Sequence, residues 1–461
     1  RIGHQAVSYL LHRLFVRSNG WYIRGLEPNS LTRSEWMPSH LQDLAEQRHT
    51  DGLTLREVAA LAASIQDLVH AEALARLKLT SEIHRHNISD FSWPDLEEMV
   101  STYFTAFLLA GNLTADSPAE AASVKAEWKA FAFGVEANMQ WMRERVGEHR
   151  GRAPNVDTAL RIVEDIGERY HEFNDYDCQK LKDTLVEMEG PQPGRVPLST
   201  FYQKALYRDW GFIEKADYLR TLGALDESNP RRPQVIVPNY VTSQPNCLNS
   251  SHFYAICCRN ECEDLMNQIE TEVGGPEADP GQVAQIVARL PSGTIQAPRE
   301  LSEALVTRLS FVATSNVGVV PLHGRLFAQW MHNAFPRECP YPHERSTRSP
   351  ITPDEWLLQE GYHSQASEEE MATVMAADTC SSDRSVECGE VGVLPWSDAE
   401  ELLDVSVRNR SSDAKTYLYV VGEAVAALAS AVLGLYLVRF ALTCWRQRLA
   451  QKKGLLPSSA V

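Results

Sequence analysis

The chain has 461 residues and a formal net charge of −17 at pH 7. That length holds two or three domains, and that charge argues against nucleic acid, whose binders are usually basic. The apolar share, 44%, is ordinary for folded protein.

In chain order, residues 4–18 carry Val7, Leu10, Leu11, Leu14 and Phe15 at helical spacing, and Gly20 ends that helix. Ser39 and Gln42 have the spacing of a capping box; Thr54 and Glu57 form a cleaner one. Thr54 opens a long helix with Val58, Leu61, Ile65, Leu68 and Val69 facing inward. Ser92 and Asp95, with Pro94 in the first turn, open another that runs through Phe107. Helices follow over 124–145 and 158–173, where Trp128, Phe131, Phe133 and Trp141 read as core packing. Residues 228–234 read as a linker, and 235–237 as a strand. Helical runs follow over 261–273, 280–290, 301–312 and 324–335. Pro336, Pro340 and Pro342 then fix an extended exit. From Ile351 to Asp404 Arg384 is the only Lys or Arg, amid about fourteen acids, which predicts a solvated stem. Within it Thr352 with Glu355 and Ser397 with Glu400 predict two short capped helices.

The stretch 417–440 (YLYVVGEAVAALASAVLGLYLVRF) has no charge between Glu423 and Arg439. At ~1.5 Å per residue it spans the ~30 Å core of a bilayer. Arg446, Arg448, Lys452 and Lys453 follow it, so a cytosolic C-terminus is expected. With a leader removed ahead of Arg1, the body is lumenal or extracellular. The alternative is a tail anchor with the body in the cytosol. Gly422, Ala426, Ser430 and Gly434 recur every fourth residue and form one ridge for close helix pairing.

Eight of the nine cysteines precede the anchor, and Cys247, Cys257, Cys258, Cys262 and Cys339 cluster. An even count in an acidic body predicts disulfides, at least two within that cluster, with Cys178 outside it; if Cys380 pairs with Cys388, the other six allow fifteen connectivities. Ligation of zinc by Cys257 or Cys258, Cys262, Cys339 and His343 is the less favoured alternative. Sequons at Asn87, Asn112, Asn249 and Asn409 predict glycosylation of a lumenal body.

Residues 53–58, 91–96 and 196–201 share a pattern that resembles the second half of an EF-hand loop entering its exit helix. Calcium needs several oxygen ligands early in such a loop and a bidentate Glu at its end. The first offers Glu46, Arg48 and Thr50, then Glu57; the second His84, His86 and Ile88, then Asp95; the third Glu189, Pro191 and Pro193, then Thr200. None has the acidic cluster, so helix pairs of EF-hand shape without calcium are expected. The phrases LLHRLFVRSNGWYIRGLEP, VPNYV–NCL–FYAICCRNECEDL and VPLHGRLFAQWMHNAFPRECPYPH together resemble a group of single-pass membrane proteins of marine microalgae. That resemblance carries no activity and no catalytic residue.

The chain has no P-loop, GxGxxG, HExxH, GxSxG or CxxC motif. No catalytic residue, metal or cofactor is assigned. A hydrolytic set drawn from His323, His332, Arg325 and Glu338 is a disfavoured option. The expectation is a mainly α protein: a helical domain with EF-hand-like pairs over 1–150, a helical segment and linker over 151–234, and a Cys-containing, disulfide-stabilised membrane-proximal domain over 235–345. An acidic stem (346–412), one transmembrane helix (413–445) and a basic cytosolic tail (446–461) complete it. The expected role is binding or scaffolding at a membrane, partnered by the lipid bilayer and by self-association of the anchor, not by nucleic acid. An anchored enzyme with a dispersed site and a tail-anchored adaptor are the alternatives.

Overall fold

The structure, a computed structural model, describes residues 2–26, 52–84, 92–111, 115–131, 134–206, 211–344, 351–378 and 396–402. The stretch with Gly422, Ala426, Ser430 and Gly434, the tail, Cys380, Cys388, Asn87, Asn112, Asn409 and the Ser39–Gln42 box lie outside the described residues.

The described chain is mainly helical and gathers around three apolar cores. The first core begins with α1 (His4–Asn19), which buries Val7, Leu11 and Phe15 and leaves Leu10 and Leu14 exposed. Gly20 ends it at φ 66°, its N–H donating back to Phe15 and Val16. Strand β1 (Trp21–Ile23) follows. In α2 (Leu55–His84) Glu57 accepts from the Thr54 N–H at 2.8 Å, as the capping box predicts. By length and composition α2 is the one helix, among the described residues, able to cross a membrane. Its buried Val58, Ala62, Ile65, Val69 and Leu77 form a stripe within the first core, while Arg56, Glu57, Asp67 and Lys78 remain on the helix. That is the pattern of an amphipathic helix packed on a folded body. Ser92 and Asp95 make the predicted capping box of α3 (Trp93–Leu108). Helices α4 (Pro118–Phe131) and α5 (Val135–Glu148) pack beside it.

Helix α6 (Val156–Glu187) belongs to two cores. Its first half buries Ile162, Val163, Ile166 and Tyr170 in the first; its end gives Leu185 to the second. One helix therefore packs in both cores. Strand β2 (Arg195–Pro197) leads into α7 (Leu198–Leu206), and α8 (Ala216–Thr221) into β3 (Leu225–Asp226). Next come β4 (Gln234–Ile236), then α9 (Val237–Val241). The sheet order is β2-β4-β3, antiparallel, with Val196 opposite Val235. Residues 228–234, read as a linker, are thus largely a turn inside one sheet. Strand β5 (Tyr254–Ile256) pairs with β1, Trp21 opposite Ile256, and ties the first helix to the cysteine region.

The third core holds α10 (Cys262–Val273), β6 (Glu277–Ala278), α11 (Pro280–Arg289), α12 (Glu303–Ser315), β7 (Val320–Pro321) and α13 (Arg325–Ala334). Strands β6 and β7 pair antiparallel. Three disulfides cross-link the body: Cys178–Cys258, Cys247–Cys257 and Cys262–Cys339. They are consistent with an extracellular or lumenal body.

The described segment 351–378 of the expected stem keeps most of its residues exposed but docks on the body through a few buried side chains. Helices α14 (Pro353–Glu360) and α15 (Glu368–Ala377) bury Trp356 and Met371 in the second core. Lys215 bonds Ser364 through its N–H and Glu370 through Nζ, at 2.7 and 3.0 Å. Acidity misleads here because the carboxylates lie on the outer face of helices whose inner face is apolar. Residues 396–402 form no helix. Glu400 instead accepts from the Leu326 N–H at 3.0 Å, so its carboxylate serves α13 rather than a helix of its own.

Candidate functional site

A cleft of about 400 Å³ opens between α1, α10, α13 and residues 340–344. Helical spacing places Tyr9, His12 and Arg13 on one side of α1, and Glu263 and Glu270 two turns apart on α10. The two helices meet there. Tyr9 donates to Glu270 Oε1 at 2.7 Å, and burial raises its phenol pKa well above the usual range. Arg13 lies 3.4 Å from Glu263 and 3.8 Å from Glu270. His12 Nε2 stands 3.4 Å from Glu263 Oε1; the residue is 3% exposed and its Nδ1 has no partner. His323 Nδ1 is 3.9 Å from Glu270, and burial lowers its pKa, with Arg13 adding to the effect against Glu270. Burial thus favours the neutral imidazole.

Arg325 of α13 also lines the cleft, one turn before Gln329 on the same helix. Arg325 is 6% exposed and donates from NH1 to the carbonyls of Ser397 and Ala399. Its Nε has no hydrogen-bond partner. Gln329 accepts from the Tyr341 hydroxyl at 2.8 Å and exchanges bonds with the Ser397 backbone. Asn239 holds the Tyr341 backbone by both N–H and C=O, at 2.7 and 2.9 Å. Met266, Leu322, Met331 and Pro340 supply the apolar lining. The Cys262–Cys339 bond joins two sides of the cleft covalently.

The hydrolytic set drawn from sequence does not assemble. His323 and Arg325 line the cleft, but His332 is wholly buried, its Nδ1 2.6 Å from the Cys339 carbonyl. Burial, then the Arg195 charge, pushes His332 down to about 3. Glu338 accepts from Ser292 and Thr294 and pins their turn. The zinc alternative fails on its sulfurs: Cys257, Cys258, Cys262 and Cys339 are all in disulfides. His343 Nε2 faces the Gly223 carbonyl at 2.7 Å. Among the described residues no group of three or more His, Cys, Asp or Glu is placed to hold a metal ion. Of the sequons, Asn249 is described; it is half-buried, and its Oδ1 accepts from Arg24 at 3.2 Å.

Sequence reading missed Tyr9, His12, Arg13, Glu263 and Glu270. The signal that marks them is polar side chains at helical spacing beside an apolar stripe. It is weak, because solvated helix faces carry the same pattern. The chain matches no family model, no curated protein and no solved structure.

Proposed function

We propose that this is a single-pass membrane-anchored binding protein. Its disulfide-braced body is lumenal or extracellular and holds a small ligand in the cleft beside α1 and α13. One observation carries the reading. The cleft has the size of a small-molecule site, and two deeply buried polar groups on its walls, His12 and Arg325, each keep an atom without a partner. A buried polar atom left unpaired costs about 1–3 kcal/mol. A ligand bearing a hydrogen-bond acceptor and an apolar part answers both walls. The ion pairs of Arg13 and the disulfide hold the site in shape before binding, which lowers the entropic cost of association.

The test is a thermal-shift screen of small metabolites against the full chain in detergent. Compounds that raise Tm are then tried on Ala328→Trp, which fills the cleft from its half-buried floor. Retained shifts in that variant place the ligand elsewhere and defeat the reading. The anchor is tested separately: deleting 417–440 should release the body from membranes that alkaline carbonate leaves loaded with the intact chain.

A further inference from the structure

The turn between α6 and α7 is built like a cation-binding loop. In an EF-hand loop of 12 residues, the first residue is an acidic ligand, the sixth is Gly in a sharp turn, and the last is a bidentate Glu. Taking 189–200 as that loop, Glu189 stands first and Gly194 sixth. Gly194 has φ 73°, and its N–H donates to Glu189 Oε1 at 2.8 Å. Val196, eighth, faces Val235 across the ladder, and α7 starts two residues later. The neighbouring turn mirrors it: the Leu198 N–H donates to the Pro233 carbonyl at 2.9 Å and the Val237 N–H to the Gly194 carbonyl at 3.0 Å. The ligand positions in between are Pro191, Pro193 and, at the end, Thr200, none of which supplies a carboxylate.

Glu189 nevertheless has a cation. Arg337 Nε lies 2.9 Å from both carboxylate oxygens, and its NH2 2.6 Å from Oε2. The Glu189 side chain is 7% exposed, so this charge is taken out of water against one partner. The segment carrying Arg337 crosses both turns. The Pro336 carbonyl packs directly on Gly194, where any Cβ would collide with it. Asn239 of α9 clasps the Tyr341 backbone. Cys339 bonds to Cys262 between them.

We propose that Arg337 is the resident cation of a calcium-free EF-hand-like loop: its guanidinium sits on the Glu189 carboxylate in the role an ion plays elsewhere. The loop keeps its closed form permanently, and the third core is fastened to the second through it. The bidentate geometry suits a planar fork and not a point charge.

Chemical rescue tests this on the full chain in detergent. Arg337→Ala should lower Tm by several degrees. Guanidinium chloride at low millimolar concentration, far below denaturing levels, should restore at least half the loss; urea at the same concentration should not. Arg337→Ala with Glu189→Gln should not respond to guanidinium. If Arg337→Ala fails to fold, Arg337→Lys serves: it should fold with a lower Tm than the parent. The parent's Tm should be unmoved by millimolar calcium. A parent stabilised by calcium, an unchanged Tm in Arg337→Ala or Arg337→Lys, or rescue that survives Glu189→Gln would each overturn the assignment.

Discussion

Two buried ionisable side chains contribute in opposite senses to how stability follows pH. Burial pushes Glu214 up to about 7 from 4.5, with the Tyr240 hydroxyl 3.0 Å from its Oε1 and no partner on Oε2. The folded chain keeps a proton there that the unfolded chain gives up. This contribution is whole below about pH 4.5 and is lost as pH rises through about 7. His332 runs the other way. Its value falls from 6.5 to about 3, so the unfolded chain takes the proton first; the contribution is whole above 6.5 and is lost as pH falls toward 3. Between about pH 4.5 and 6.5 the two slopes oppose and cancel. Glu214→Gln keeps an acceptor for Tyr240 and removes the ionisation. It should raise Tm relative to the parent at pH 8 and leave it nearly unchanged at pH 4.5. Equal Tm differences at both values in a melting series would refute the assignment.

Among the elements, the segments that close the body matter most. The Cys262–Cys339 bond spans 77 residues and fixes the strand of chain that carries Arg337 and Tyr341. In the chain-entropy model such a loop is worth ~4 kcal/mol. Replacing both cysteines by Ser should cost about that much in urea melts. It should also make the peptide bonds around 336–343 accessible to limited proteolysis. Helices α14 and α15 close the second core. Trp356 is 4% exposed and stands edge-on to Tyr218 at 5.2 Å. Trp356→Ala should destabilise by about 3–5 kcal/mol. A change below ~0.5 kcal/mol in denaturant unfolding would return this segment to the role of a solvated stem.

For the whole molecule, two of the three cores share one long helix, and three disulfides cross-link the described body. Glu189–Arg337 and the Asn239–Tyr341 clasp join the second core to the third, and β1–β5 joins the first helix to the cysteine region. We propose that the stretch 417–440 adds a second level of assembly. Gly422, Ala426, Ser430 and Gly434 recur every fourth residue, the spacing that on a transmembrane helix would form a small-residue ridge for close helix pairing. Ala426→Leu with Ser430→Leu should abolish self-association in a membrane two-hybrid assay, and Leu428→Ile with Leu435→Ile should not. Equal signals from the two pairs would leave the ridge without a role.

Helix starts and stops were legible in the residues because their chemistry is local. Thr54 with Glu57, Ser92 with Asp95, Thr352 with Glu355 and the turn at Gly20 each satisfy backbone groups within a few positions. The need for disulfides was legible too, from cysteine number and charge; their pairing was not, since Cys178 and Cys258 stand 80 residues apart. Composition made 351–378 look solvated, although Trp356 and Met371 sit on its inner faces and meet the second core. The cleft is the extreme case. Tyr9 and Glu270 are separated by 261 positions, and Arg325 meets the carbonyl of Ala399 from a distant turn. A side chain's local pattern determines the element it sits in. Which distant polar groups share one desolvated space is decided only when those elements pack, because burial, not spacing, makes an unpaired nitrogen or a lone carboxylate matter.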